Sequence, residues 1–358
     1  VTSDRKRLAY QLAALLLVVV LIVLFTVRRK DGGDGASEHR VAMGTLVSVT
    51  VTAPDAATRD SAIASAFKEI DRVDSLTTRY SDDSEIARLN AQVGGYTHEP
   101  IDPEVADIVS TSLSIAEATH GAFDITIAPV VELWPLDDED FRPPSAAEIS
   151  RALEHVDWRA VKVDTVRDTI TAPPGTRLDL AGAAKGYAVD RAVAAIERAG
   201  VTRGVVDAGG DIGFAGTPPR PEGWYAGIQS PRGEGLLGVL LLDGGSVATS
   251  GDYQHFAVVD GVRYHHILNP STGYPARGVM SVTVATDRAV RADALATAVF
   301  VLGPDAGLAF VEKTPGVEAL IVTGDGDTEG EVLLSSGLED RFTDTRDWAE
   351  IEPGESVD

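Results

Sequence analysis

Twenty consecutive residues, Leu8 to Val27, carry no charge, and they are flanked by Arg5-Lys6-Arg7 and Arg28-Arg29-Lys30. At about 1.5 Å per residue, a helix of that length matches a hydrocarbon core of roughly 30 Å. This run therefore stands apart from whatever the rest of the chain folds into. A cleaved leader has a shorter apolar stretch followed by a small-x-small site, and Phe25-Thr26-Val27-Arg28-Arg29 offers none. The expectation is a membrane anchor at 1–30, spanning at 8–27. Three basic residues on each side leave the charge rule for orientation tied. The glycine-rich start of 31–40 reads as a flexible tether.

Beyond the tether there is chain enough for one large core. The sequence has 358 residues, and its 44% hydrophobic content excludes wholesale disorder. Against 31 basic residues stand 55 acidic ones, a net charge of −24, which repels phosphate backbones; nucleic acid is not an expected partner. There is no cysteine, so disulfides, thiolate metal sites and a cysteine nucleophile are all excluded. A metal would have to be held by oxygen or by one of seven histidines. The basic residues are 25 Arg and only 6 Lys. Arginine-for-lysine codon bias would give that ratio, but with so many carboxylates the expectation is a halophile surface, soluble in strong salt.

The patterning from Val41 onward mixes both periods. Met43–Thr52 alternates as a β-branched strand, and 55–77 is an amphipathic helix carrying Ile63, Phe67, Ile70 and Val73. A second helix covers 103–119 and stops at Gly121; others follow Gly186 and span 291–302. Short strands are expected at 177–181, 203–207, 237–243, 254–259, 263–268, 280–286 and 318–323. Strand–helix alternation is irregular and no repeat appears, so the fold class expected is α+β, in one domain over 41–342 with an acidic tail at 343–358.

Three segments carry candidate chemistry. In Leu178-Asp179-Leu180-Ala181-Gly182-Ala183-Ala184-Lys185-Gly186, small residues and a lysine precede a helix, as an anion site requires. An ordinary strand–helix junction with a solvated lysine reads the same way. Asp293 and Thr297 are four apart on one helix face, a carboxylate and a hydroxyl suited to a hard cation; Asp293 as a helix cap is the plainer alternative. His265 and His266 run into an Asn-Pro-Ser-Thr-Gly turn, where a histidine serves either as a base or as a backbone partner.

Gly121-Ala122-Phe123-Asp124 and Gly204-Val205-Val206-Asp207-Ala208-Gly209-Gly210-Asp211 complete the ordered set. With Met43-Gly44-Thr45, Ser250-Gly251-Asp252-Tyr253 and Ala292-Asp293-Ala294-Leu295-Ala296-Thr297-Ala298, the series resembles the ApbE-type FAD:protein FMN transferases from Met43 to Ala298. Departures from the family pattern are Thr78-Arg79 before Tyr80, Ala181 and Ala183 in the lysine block, Asp207 for Asn and Asn269 for Asp.

The resemblance implies that FAD binds as substrate beside Mg²⁺. It implies metal ligands at Asp293, Thr297 and the backbone carbonyl of Gly182, and cofactor contacts from Met43, Tyr80, Ala122, Phe123, Asp124, Asp179, Lys185 and Leu268. It further implies transfer of FMN to a Thr or Ser hydroxyl of an electron-transfer protein, with release of AMP, catalysis resting on Asp293 and His266, and Lys185 acting from the helix start. The domain would sit at the cell membrane, on the extracytoplasmic face. Hydrolysis of FAD to FMN and AMP is the nearest alternative, and a flavin-binding module without turnover is another.

Overall fold

The computed structural model describes residues 34–79, 81–92, 94–326 and 330–346. The expected membrane segment at 8–27 lies outside these residues; among those described, no helix is long and apolar enough to cross a membrane.

The strands in chain order are β1 (Asp34–Ala42), β2 (Thr45–Ala53), β3 (Tyr96–Pro100), β4 (Lys162–Asp164), β5 (Thr169–Ala172), β6 (Arg203–Ala208), β7 (Asp211–Gly216), β8 (Trp224–Gln229), β9 (Leu236–Leu242), β10 (Ser246–Gly251), β11 (Phe256–Val259), β12 (Val262–His265), β13 (Val279–Thr286), β14 (Glu318–Thr323), β15 (Val332–Leu334) and β16 (Phe342–Asp344). The helices are α1 (Ala56–Thr77), α2 (Glu85–Asn90), α3 (Pro103–Ala118), α4 (Ala128–Val131), α5 (Ala146–Leu153), α6 (Ala181–Arg198), α7 (Ala289–Leu302) and α8 (Pro304–Val311).

An eight-stranded sheet in the order β1-β2-β6-β7-β10-β13-β14-β15 forms the spine. Its two faces are covered differently, and β14 displays the alternation: Ala319 and Ile321 join the core shared with α1, α3, α6 and α7, whereas Leu320 and Val322 join the core under β8 and β9. The three-stranded sheet β16-β9-β8 supplies that second cover. With both faces packed, β13 is buried at every position. Helices on one side of an antiparallel sheet give the mixed α and β architecture expected from the sequence.

Several local readings are corrected. The tether assignment ran through Arg40, but Asp34–Ala42 is β1, and its polar side chains bond across to β2: Ser37 meets Thr50 at 2.8 Å and His39 Nδ1 meets Ser48 at 2.7 Å. Met43 and Gly44, read as strand, form the connecting turn, with φ of 52° and 73°. No strand forms at 177–181; instead Asp179 N–H donates to the Ile125 carbonyl at 2.7 Å, tying two loops together. The acidic tail begins later than Thr343, because β16 pairs Phe342–Asp344 with β9. Its residues from 347 lie outside the described set.

Candidate active site

The site is built on the seam between α6 and α7. These helices run antiparallel, and glycines let them approach closely: a Cβ on Gly186 would lie 2.2 Å from the Ala289 carbonyl oxygen. One turn earlier, a Cβ on Gly182 would meet Phe123 at 2.9 Å and Thr297 Oγ1 at 3.7 Å. Asp190 accepts the Ala289 and Val290 N–H groups at 2.7 and 3.3 Å, so α6 caps the first turn of α7 from outside. That removes the plain capping role from Asp293, which sits in the second turn and is 4% exposed.

Lys185 lies between two carboxylates. Its Nζ is 2.8 Å from Asp211 Oδ2 and 3.3 and 3.4 Å from the two Asp293 oxygens. Burial alone would lower the lysine pKa, but Asp211 and then Asp293 outweigh it and hold the ammonium charged. Burial pushes Asp211 well above the usual carboxylate range, the Asp293 charge adds to this, and Lys185 opposes it. Lys185 occupies the second turn of α6, not its start, since the helix already begins at Ala181. The first turn is capped by Asp179, whose Oδ1 accepts the Ala181 N–H at 2.9 Å while Oδ2 pairs with Arg79 at 3.1 Å.

Oxygen donors line the same seam. Thr297 Oγ1 is 3.2 Å from Ser250 Oγ, at the end of β10. Asp293 Oδ2 accepts the Gly186 N–H at 3.1 Å, the group that in a regular helix serves the Gly182 carbonyl four residues back. Asp293 and Thr297 thus face Gly182 and Gly186 of α6 across the seam, and their oxygens are hard donors by chemical type.

The two histidines differ sharply. His265 ends β12, is 2% exposed, packs edge-on against Phe300, and donates from Nε2 to the Ala276 carbonyl at 2.9 Å. Its Nδ1 accepts the Ile267 N–H at 3.3 Å, so both ring nitrogens are used. His266 is reachable from solvent, and its Nδ1 bonds the His255 carbonyl at 3.3 Å. A carbonyl has no proton to give, so Nδ1 carries the hydrogen and the free lone pair is on Nε2. The protein around this ring, then His255, hold its pKa below the ordinary histidine value, and the Lys185 charge acts in the same direction.

Other expected contacts fall further out. Asp124 uses its carboxylate locally, on the N–H and hydroxyl of Thr126 and on the Trp158 N–H, and burial raises its pKa. Ala122 lies in the same loop, half-buried, and places Phe123 over Gly182. Met43 N–H donates to Asp74 at 3.0 Å, and Leu268 packs with Val130, Trp134 and Ile149; the contacts described for these two do not reach Lys185. Tyr80 lies outside the described residues. Asp211 and Ser250 stand in blocks of the ordered motif series, but no role follows for either from the sequence; the double-glycine turn and the Ser250-Gly251-Asp252-Tyr253 block are the signals that mark them.

Matches to known proteins agree with this arrangement. The sequence profile of the ApbE family matches residues 43–321. The FAD:protein FMN transferase of Treponema pallidum is 33% identical over 324 residues, covering 85% of this chain and 88% of that protein. The FAD:protein FMN transferase of Escherichia coli K12 is 30% identical over 273 residues, 73% of this chain and 76% of that one. Among solved structures, the ApbE protein of Thermotoga maritima has a TM-score of 0.78 at 35% identity, covering 85% of this chain and 98% of that chain. The flavinyl transferase ApbE of Pseudomonas stutzeri gives 0.75 at 29%, covering 85% and 95%. The fold and the profile together define a flavin-transferase class of α+β domain. This chain belongs to the ApbE family.

Proposed function

We propose that this chain transfers the FMN half of FAD to a Thr or Ser hydroxyl of an electron-transfer protein and releases AMP. Family membership supports the reaction class. The observation that carries it to these residues is a lysine held between buried carboxylates, together with a solvent-facing His266 whose Nδ1 is bonded to a carbonyl so that its Nε2 lone pair is free.

In this reading the acceptor hydroxyl oxygen attacks the phosphorus that bears riboflavin. A P–O bond forms, the bond to the AMP phosphate breaks, and His266 Nε2 takes the hydroxyl proton. Lys185 offsets charge on the diphosphate oxygens from the α6 side. The donor set of Asp293, Thr297 and the Gly182 carbonyl fits Mg²⁺, which when bound would supply further charge neutralisation at the diphosphate. Phe123 walls the pocket above Gly182, and the α6 N-terminus near Asp179 completes the nucleotide side.

The apolar run at 8–27 supports a membrane location, and we assign the domain to the extracytoplasmic face; protease added to intact cells should remove it. The transfer test is direct. Incubating the full chain with FAD, Mg²⁺ and membrane proteins of the source cell should produce a covalently fluorescent band. Release of FMN and AMP with no band, at any acceptor level, would replace transfer with hydrolysis.

A further inference from the structure

Asp211 is among the most deeply buried carboxylates of the fold, at 2% exposure, and nothing in the reaction as drawn above uses it. Its position is set by the tight β6–β7 turn. Ala208 pairs with Asp211 across Gly209 and Gly210, whose φ values of 66° and 98° suit glycine. A Cβ on Gly209 would stand 2.3 Å from Thr45 Oγ1, so the turn is clamped against the neighbouring strand. The carboxylate that emerges from it bonds Lys185 Nζ at 2.8 Å, nearer than either oxygen of Asp293.

We infer that Asp211 is a positioning residue that takes the shortest bond of the Lys185 ammonium, at 2.8 Å, and so keeps the ammonium's bonds to Asp293 long enough, at 3.3 and 3.4 Å, for a divalent cation to compete for that carboxylate. The inference rests on the reading of Asp293 as a cation ligand. The electrostatics follow from three groups. With both acids ionised, two carboxylates and one ammonium sum to one negative charge, and the lysine hydrogen-bonds Asp211 more closely. Neutralising Asp211 leaves Lys185 with a single charged partner, so the ammonium shifts toward Asp293 and an incoming cation must compete with it there. Like charges at such a separation, in a site of reduced dielectric, oppose each other by several-fold to many-fold in affinity. Removing the lysine as well frees Asp293 again.

Binding of Mn²⁺ to the full chain, read from the free-ion EPR signal, tests this without turnover. Asp211→Asn should weaken Mn²⁺ binding on the order of tenfold or more. Lys185→Met added to Asp211→Asn should restore binding to near the wild-type level, and Asp211→Glu, which keeps the charge, should bind close to wild type. Asp293→Ala is the reference. If it leaves Mn²⁺ binding unchanged, the cation-site reading falls and this inference with it. If Asp293→Ala weakens binding but Asp211→Asn does not, only the role of Asp211 is overturned. A double variant that stays weak also overturns it, making Asp211 a direct ligand or a purely structural group.

Discussion

The α6–α7 seam and the β11–β12 hairpin carry, or lead into, the residues of the proposed site on opposite terms. Helix α7 is buried nearly all round, and its register on α6 is fixed by Gly186 against Ala289 and by Asp190 at its first turn. The hairpin lies outside the eight-stranded sheet and pairs only with itself, and Phe256, Val258 and Val262 on it are exposed. Charged groups that must hold a fixed spacing thus come from the core. The ring assigned to the acceptor's proton comes from the surface, just past the hairpin, where a second protein can reach it. The difference predicts that loss of a seam carboxylate removes ligand binding as well as rate, whereas damage at His266 removes rate alone.

The largest effect is expected at Asp293. Asp293→Ala should lower transfer by roughly 10³-fold or more, since it takes away the charged donor of the seam and leaves Lys185 with Asp211 only. Near-normal transfer would show that the seam is structural. His266→Ala comes next, with a loss in turnover on the order of 10²–10⁴ and little change in FAD affinity, both read from steady-state kinetics and flavin fluorescence. A parallel loss of FAD binding would erase the distinction between the two regions.

Gly186→Ala sharpens the comparison from the stability side. Its Cβ would collide with backbone, which cannot yield as a flexible side chain can, so a loss of about 1–3 kcal/mol in denaturant unfolding is expected. His265→Ala should likewise lower stability, by about 2 kcal/mol, because a buried ring with both nitrogens bonded is removed, while the rate per folded molecule changes little.

The smallest effect concerns pH. Burial first of all holds His265 below its ordinary value of 6.5, so the folded ring is neutral where the unfolded one takes up a proton. Its contribution to stability is therefore full above about pH 6.5 and declines as pH falls below that. Melting temperature should drop between pH 7.5 and 5, and His265→Asn should flatten the drop. An unchanged slope would assign the effect to other groups.

How legible all this was depends on what each segment packs against. Helices α1, α3, α6 and α7 show their apolar spacing plainly, and β13 and β14 are uncharged, largely apolar runs after Glu318, rich in Val, Ile and Thr. The strand β10, Ser246-Val247-Ala248-Thr249-Ser250-Gly251, is absent from the expected strands because it carries hydroxyls that pair inside the fold, such as Thr249 with Thr283 at 2.8 Å. β1 looked like a tether because it is a polar edge strand whose partners lie on β2. Asp293 and Thr297 were visible because helical spacing is local. Asp211 was not, because its meeting with Lys185 is a product of the sheet and α6 folding together. The motif order fixed the family, and tertiary contacts fixed which carboxylate holds the lysine.

The central claim is tested most directly by following two products at once in a single reaction of the full chain, FAD, Mg²⁺ and an acceptor protein. Intact-mass measurement of the acceptor reports attached FMN, and chromatography reports AMP. One AMP is expected for each FMN attached, both slowed together in His266→Ala and both lost in Asp293→Ala. AMP accumulating with the acceptor's mass unchanged, or His266→Ala transferring at the wild-type rate, would contradict the proposed transfer.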